Sequence, residues 1–215
     1  MKKNTKLDKN YQKKYFENRK RSYSGDTRAP AIKRLSKKYL GEKVLDVGAG
    51  SGALINIIPN AVGIDITPKN SKVQKGDITN LQFRDNYFNT VFALEVLEHL
   101  DKKTLDKGLK EIRRVLKEEG CFIVTTPYNE NLEEGMVMCP KCELWFHKDG
   151  HVRSFNKESM KKIIVDNGFE IISFKVLPLG SLGRHLILGY FWRLFNLFGL
   201  GFKPTSIFLV AQKKQ

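Results

Sequence analysis

Cysteine is scarce in this sequence, and its first residues lack the features of a secretory signal. The 215 residues include three cysteines. An odd number that contains one C-x-x-C pair argues against a disulfide-bonded secreted domain and for a reducing compartment with metal or redox chemistry. Residues 1–22 are rich in lysine and contain no apolar stretch, so we predict a cytoplasmic protein without a signal peptide.

Extended apolar segments are also scarce. The one that stands out, residues 186–202, has 17 residues and contains Arg193 and Asn196. A spanning helix needs about 20 mostly apolar residues and a central arginine is costly there, so we expect no membrane crossing. If residues 183–200 are helical, the wide apolar face of the helix has three alternative roles. It is a substrate lid or part of the core, a membrane-surface contact, or a dimer interface. The whole insert is assigned to residues 179–203.

Positive charge is concentrated at the start of the chain. Lys and Arg number 38 against 23 Asp and Glu, for a net charge of +15. Residues 1–43 contain 15 basic and 4 acidic residues, so they contribute 15 − 4 = +11 and the remainder only 15 − 11 = +4. We therefore predict a basic helical arm, residues 1–42, followed by a domain, residues 43–215. Such an arm is often only a solvated tail, but together with the apolar insert it favours peripheral contact with the inner membrane surface.

Short apolar runs alternate with helical patterns through the rest of the chain. Strands are predicted at residues 43–47, 61–64, 72–75, 90–94, 121–125, 170–175 and 206–212, and helices at 8–20, 29–38, 54–58, 101–119 and 157–166. Gly120 is the predicted C-cap of the helix at 101–119, and Asn156 the N-cap of the helix at 157–166. Strands that alternate with helices predict an α/β fold with a mostly parallel sheet and helices on both faces.

A glycine-rich turn follows the first of these strands. The sequence VLDVGAGSG, residues 44–52, has glycine at positions 48, 50 and 52. Glycine allows positive φ and close approach of a ligand, and free N–H groups before a helix attract an anionic group. Asp65 ends the second strand, where a carboxylate can accept hydrogen bonds from ribose hydroxyls. Asp77 follows the third strand, in a position to meet the amine of an adenine.

Together with EVLEH at residues 95–99 and FIVTTPYN at 122–129, these features resemble the class I S-adenosylmethionine-dependent methyltransferases. The resemblance is closest to the ubiquinone and menaquinone biosynthesis subgroup, and it runs from about residue 43 to the end. It implies a Rossmann-like sheet of seven strands with the last strand antiparallel. The alternative, a nicotinamide dinucleotide fold, expects G-x-G-x-x-G, whereas this loop is G-x-G-x-G. Only eleven residues separate Asp65 from Asp77, so the second helix of the family is very short or absent.

The resemblance also implies a set of residues that bind S-adenosylmethionine. They are Asp46, Gly48, Ala49, Gly50 and Gly52 at the methionine end, Asp65 with Ile66 at the ribose, Asp77 with Ile78 at the adenine, and Glu95 beside the methyl-donor pocket.

His99 is the candidate catalytic base, because it follows the fourth strand at the edge where open α/β sheets bind ligands. The alternative is a residue that only caps the next helix. The pattern E-x-x-E-H, residues 95–99, also resembles the magnesium-binding motif of small-RNA 2′-O-methyltransferases, although EVLEH is common in metal-free relatives.

A loop at residues 128–152 contains a candidate zinc site. Cys139, Cys142, His147 and His151 offer two thiolates and two imidazoles within 13 residues, a set that suits tetrahedral zinc. In the alternative, His151 serves the substrate pocket or the E-x-x-E-H site.

Three functions follow from these features. The first is methylation of an oxygen or carbon of a small, lipophilic acceptor with S-adenosylmethionine as methyl donor. The second is methylation of RNA held by the basic arm and the Cys/His loop. The third is a non-catalytic module that only binds the cofactor.

Overall fold

The computed structural model of the chain describes residues 25–180 and 204–214. Within these residues nine strands and three α-helices form. The strands are β1 (Val44–Val47), β2 (Ala61–Asp65), β3 (Val73–Lys75), β4 (Phe88–Leu94), β5 (Leu116–Pro127), β6 (Met136–Met138), β7 (Trp145–His147), β8 (Phe169–Leu177) and β9 (Ser206–Lys213). The helices are α1 (Gly25–Ser36), α2 (Lys102–Val115) and α3 (Lys157–Asp166).

Seven strands form one sheet in the order β3-β2-β1-β4-β5-β9-β8, and β6 and β7 form a separate hairpin. The pairs from β3 to β5 are parallel, whereas β9 is antiparallel to both of its neighbours. This is the predicted mostly parallel sheet of seven strands with its last strand antiparallel.

Alternate residues of the central strands pack on opposite faces of the sheet. Val91 of β4 belongs to the hydrophobic cluster that contains Leu109 of α2 and Ile164 of α3. The neighbouring Phe92 belongs instead to the cluster that contains Ile32 of α1. Because helices cover both faces, residues on both sides of the central strands are buried, and β1 is buried at all four residues, including Asp46.

Helix α1 packs directly against the sheet, although its residues fall within the predicted arm. Ala29 and Ile32 are buried against Val44 and Phe92. A hydrogen bond from Thr90 Oγ1 to the carbonyl of Tyr39, 2.8 Å, ties the end of this segment to β4. Residues 25–40 therefore contribute to the core.

Two predicted helices differ in the structure. Residues 54–58 form irregular turns with isolated helical hydrogen bonds, such as Ile58 N–H to the carbonyl of Leu54, 3.0 Å, because the glycine turn precedes them and Pro59 follows. The helix predicted at 101–119 ends at Val115, since Leu116 is buried and pairs with Phe88 of β4. Gly120 is not a C-cap; it lies within β5, beside a register shift in the β4–β5 pairing.

The other two helices predicted within the described residues do form. The one predicted at 29–38 is α1, Gly25–Ser36, and the one predicted at 157–166 is α3, with the predicted bounds. Asn156 is the N-cap of α3 and its side chain accepts a hydrogen bond from Ser159 N–H, 2.7 Å. The predicted helix at 8–20 and the apolar segment 183–200 lie outside the described residues, so their predicted roles in membrane contact stay predictions. Among the residues that the structure describes, no helix has the length and apolar character to cross a membrane.

Candidate active site

The glycine-rich turn after β1 is fixed to the end of β2. The N–H groups of Gly48 and Ala49 both donate to the carbonyl of Ile64, at 2.8 and 2.9 Å. Gly48, Gly50 and Gly52 have φ angles of 77°, 51° and 78°. A Cβ atom at Gly48 would lie 2.4 Å from Cγ2 of Val96, which follows β4. The turn therefore requires glycine both for its backbone conformation and for its contact with β4.

Asp65 is held beside this turn by two backbone groups. Its Oδ2 accepts a hydrogen bond from Gly50 N–H, 2.9 Å, and its Oδ1 accepts one from Thr67 N–H, 2.8 Å. Each carboxylate oxygen has a second lone pair, so the side chain retains acceptor capacity for two ribose hydroxyls.

Asp46 is buried within β1, with 3% of its surface exposed. Its Oδ1 accepts no hydrogen bond from any residue in the described ranges. Burial, and next the charge of Asp65, raise the pKa of Asp46 to about 8. A cationic ligand beside this carboxyl would stabilise its charged form, and both the sulfonium and the ammonium group of S-adenosylmethionine are cations.

The residues predicted at the adenine and ribose differ in exposure. Asp77 is exposed and its Oδ1 accepts hydrogen bonds from the N–H and the hydroxyl of Thr79, at 2.8 and 2.9 Å. Ile66 is 51% exposed, whereas the side chain of Ile78 is 9% exposed and packs against Gly108 of α2. Only Ile66 therefore offers an accessible apolar side chain.

Glu95 follows β4 with a φ of 57° and forms an ion pair with Arg28 of α1. The distance from Arg28 Nη1 to Glu95 Oε2 is 2.7 Å, and both side chains are mostly buried. The pair joins α1 to the carboxyl edge of the sheet. Arg28 has no distinguishing signal in the sequence, because it resembles the other basic residues of the arm.

Three histidines pack together beside the end of β4, with the ring of His151 stacked on His147 and in edge contact with His99. The ring centroids of His99 and His151 are 4.8 Å apart, and so are those of His151 and His147. The Nδ1 atom of His99 lies 3.1 Å from the carbonyl of Gly150, and the Nδ1 atom of His151 lies 2.5 Å from Oε2 of Glu130. Burial, and next the charge of His151, lower the pKa of His147.

Glu98 lies close to His99 and His151 and is 1% exposed. Its Oε2 accepts a hydrogen bond from the hydroxyl of Thr126, 3.1 Å, while its Oε1 has no hydrogen-bond partner in the part of the chain that the structure describes. Burial, and next the charge of Glu95, raise the pKa of Glu98 well above its usual value.

The predicted four-ligand zinc site does not form as expected. Within residues 25–180 and 204–214, the groups with ligand atoms within 4.8 Å of one another contain His147 and His151 but neither Cys139 nor Cys142. The two cysteines lie at the tip of the β6–β7 hairpin, where Glu143 N–H donates to the carbonyl of Cys139, 2.8 Å. His147 lies at the other end, paired with Met136. The ligand groups that do form include Glu98 and Glu130, and Glu130 had no signal in the sequence.

The strand order, the antiparallel β9 and a glycine turn beside two carboxylates define a class I S-adenosylmethionine-dependent methyltransferase. A family model described as a methyltransferase domain matches residues 15–174, and the chain belongs to that family.

The chain is also similar to several individual proteins. An uncharacterized protein of Methanocaldococcus jannaschii is 32% identical over 68% of this chain and 69% of its own length. The sterol 24-C-methyltransferase of Saccharomyces cerevisiae is 28% identical over 71% of this chain, which spans only 47% of that relative. A ubiquinone/menaquinone biosynthesis C-methyltransferase of Neisseria meningitidis is 26% identical over 67% of this chain and 74% of its own length.

A solved structure shows the same fold. It is the 1,6-didemethyltoxoflavin-N1-methyltransferase of Burkholderia thailandensis, with its substrate and S-adenosylhomocysteine bound. It is similar to this chain with a TM-score of 0.60 at 15% identity, over 88% of this chain and 79% of that one. At this identity the likeness shows the fold alone.

Proposed function

We propose that the chain transfers the methyl group of S-adenosylmethionine to a carbon or oxygen of a small, lipophilic acceptor. The observation that carries the cofactor assignment is the glycine turn, which follows the buried carboxyl of Asp46 and is hydrogen-bonded to the carboxylate of Asp65. The named activities of the sterol and quinone relatives, both C-methyltransferases, support a lipophilic acceptor and a carbon as the methylated atom.

In this proposal the cofactor lies across the carboxyl ends of β1, β2 and β4. Asp46 and the turn 48–52 contact its methionine end, Asp65 and Ile66 its ribose, and Asp77 its adenine. Glu95 lies beside the transferred methyl group. Open α/β sheets bind ligands at this edge, where the strand order reverses on either side of β1.

The reaction is a displacement at the methyl carbon. An electron pair of the acceptor forms the new bond to carbon, the bond to sulfur breaks, and its electron pair stays on sulfur to give S-adenosylhomocysteine. Alignment of the two groups supplies much of the rate, and a base is needed to remove a proton from the acceptor. His99 is the candidate, because its Nδ1 faces the carbonyl of Gly150 and a neutral ring then has its lone pair on Nε2.

Isothermal titration of the purified chain with S-adenosylmethionine tests the cofactor site. We expect one equivalent to bind to the wild type and binding to weaken at least about tenfold in Asp65→Ala, which loses a charged hydrogen-bond acceptor. The matched control is Asp166→Ala, which removes an exposed carboxylate on α3 that pairs with Lys162. Equal binding by wild type and Asp65→Ala would contradict the assignment of the ribose site.

A labelled methyl donor identifies the acceptor class. The wild type and Asp65→Ala are each incubated with total lipid extract, polar metabolites or total RNA, and label is counted in each fraction. We expect label in the solvent-extractable fraction with the wild type only. Label confined to RNA would contradict the proposed acceptor and favour the RNA methyltransferase alternative.

A further inference from the structure

We propose that Glu98, His99 and His151 bind a divalent transition-metal ion at the carboxyl end of β4. One ligand atom from each of the three lies within 4.8 Å of the others, so small side-chain rotations are enough to bring all three into contact with a single ion. This group is separate from the predicted cysteine site, and it does not depend on which acceptor the protein methylates.

The backbone holds the three residues together. Glu98 and His99 lie in a short 3₁₀ helix, Leu97–His99, and His151 follows the β6–β7 hairpin. Val152 N–H donates to the carbonyl of Glu98, 2.9 Å, and Arg153 Nε donates to the carbonyl of Leu100, 2.8 Å. The site is therefore positioned by the fold of the chain before any ion binds.

Each of the three side chains is oriented by a second contact. His99 donates from Nδ1 to the carbonyl of Gly150, and His151 donates from Nδ1 to the carboxylate of Glu130. The hydroxyl of Thr126 donates to Oε2 of Glu98 and Oε1 has no described partner. These contacts place the imidazole lone pairs on Nε2, and carboxylate or carbonyl groups behind metal-bound histidines are the usual pattern in metal sites.

A second group, Glu130, His147 and His151, fits an ion less well. The Nδ1 atom of His147 accepts hydrogen bonds from the N–H groups of Asp149 and His151, at 3.2 and 3.3 Å. A neutral ring then has its proton on Nε2, and that atom faces Gly135 so closely that a Cβ there would overlap it. His147 therefore supports the loop, and Glu130 orients His151.

The donor set indicates the kind of ion. Two imidazole nitrogens and one carboxylate oxygen suit Zn²⁺, Fe²⁺ or Co²⁺, whereas Mg²⁺ and Ca²⁺ prefer oxygen ligands. Glu95, the first residue of E-x-x-E-H, is paired with Arg28 and does not belong to the group. Three protein ligands leave coordination positions open for water or an oxygen of a substrate.

The proposal changes the role of His99. The lone pair on Nε2 either accepts a proton or coordinates an ion, so His99 is a ligand and not a base when the ion is bound.

Spectroscopic titration with Co²⁺ tests the site on the full chain after treatment with a chelator. We expect one equivalent to bind, with visible ligand-field bands and without a thiolate-to-cobalt charge-transfer band in the near ultraviolet. Competition with Zn²⁺ and Mg²⁺ follows the same bands, and we expect Zn²⁺ to displace Co²⁺ and Mg²⁺ to leave it in place.

Asparagine variants distinguish the histidines that bind the ion from the histidine that only supports the loop. His99→Asn and His151→Asn retain a donor at the position of Nδ1 but lose Nε2, so we expect each to weaken Co²⁺ binding by at least about a hundredfold. His147→Asn is the matched control, since its amide oxygen can accept the same N–H groups, and we expect a change of less than about threefold. Thermal melting confirms that each variant folds.

Three outcomes would overturn the proposal. The first is a wild-type chain that binds neither Co²⁺ nor Zn²⁺ at micromolar concentration. The second is a charge-transfer band that disappears in the Cys139→Ser/Cys142→Ser variant, because the ion would then belong to the hairpin cysteines. The third is a loss of binding in folded His147→Asn as large as in His151→Asn.

Discussion

Asp46 is a carboxyl group whose burial opposes folding and whose position favours ligand binding. Its pKa of about 8 in the folded chain lies far above the ordinary value of 3.8. The folded chain therefore binds a proton there more tightly than the unfolded chain does. Its contribution to stability is fully present below about pH 4 and is lost as the pH rises to about 8.

The first prediction concerns the variant Asp46→Asn, which removes this titration. The wild type loses stability as the pH rises from 5 to 8, whereas the variant does not. We therefore expect the melting temperature of the variant minus that of the wild type to increase over this range, by an amount that corresponds to a few kcal/mol of unfolding free energy at about 1.4 kcal/mol per pKa unit. Binding of S-adenosylmethionine should weaken in the same variant. Calorimetric melting at three pH values provides the measurement, and a melting difference that does not change with pH would contradict it.

The ion pair of Arg28 and Glu95 leads to a second prediction. Arg28→Met leaves a mostly buried carboxylate without its partner, so we expect a loss of about 1–2 kcal/mol, reduced by the remaining exposure of both side chains. The double variant Arg28→Met/Glu95→Gln removes the charge and should recover part of the loss. Urea unfolding of both variants measures the difference, and equal stability of the single and double variants would exclude the pair as a stabilising contact.

At the scale of elements, the glycine turn depends on contacts with both neighbouring strands. Gly48→Ala places a methyl group against Val96 in a backbone conformation that disfavours side chains. We expect a loss of about 1–3 kcal/mol in stability and a loss of cofactor binding. Gly180→Ala is the control, because a Cβ there has no neighbour closer than 4.0 Å among the residues that the structure describes. Chemical unfolding and calorimetry measure both effects, and unchanged cofactor affinity in Gly48→Ala would contradict the proposed site.

Arg114 of α2 fixes the segment between β3 and β4. Its guanidinium donates to the carbonyls of Leu81 and Phe83, at 2.7 and 2.8 Å, and to the carboxylates of Asp85 and Glu111, at 2.6 and 2.8 Å. Lysine cannot form this planar set of contacts.

We therefore expect Arg114→Lys to lose about 1–2 kcal/mol of stability, because carbonyl groups that are partly buried lose charged donors. Lys162→Ala, which changes an exposed pair on α3, should differ from wild type by less than about 0.5 kcal/mol. Urea unfolding compares the two. A loss no larger than that of Lys162→Ala would show that the contacts of Arg114 contribute little.

The sheet was predictable from the sequence because apolar runs and strand-end carboxylates are local signals. The end of α2 was not predictable from the sequence, because Leu116 pairs with β4 and this tertiary contact outweighs the C-cap signal of Gly120. The four predicted zinc ligands do not come together in the structure for a related reason. Cys139 and His147 are close along the chain, but the β6–β7 hairpin places them at its opposite ends, and the sequence contains no local signal for that hairpin.

At the scale of the whole molecule, the net positive charge and the candidate site residues lie in different parts of the chain. Most of the net charge of +15 comes from residues 1–43, whereas the glycine turn and the carboxylates lie after them. The family match at 15–174 and the packing of α1 both place part of the basic region with the domain. Basic residues such as Arg28 therefore contribute to the fold, in addition to any role in contact with a partner.

The position of β9 has a consequence for how the protein is made. This strand lies between β5 and β8, and Cys121 of β5 pairs with Gln212, 212 − 121 = 91 residues further along. A ribosome delivers the residues in order, so β5 emerges long before β9, and the backbone N–H and C=O groups along one edge of β5 stay unpaired in the meantime. Closure of the sheet must therefore wait until residues 206–213 have left the ribosome, and until then the open edge of β5 can pair with a strand of another copy.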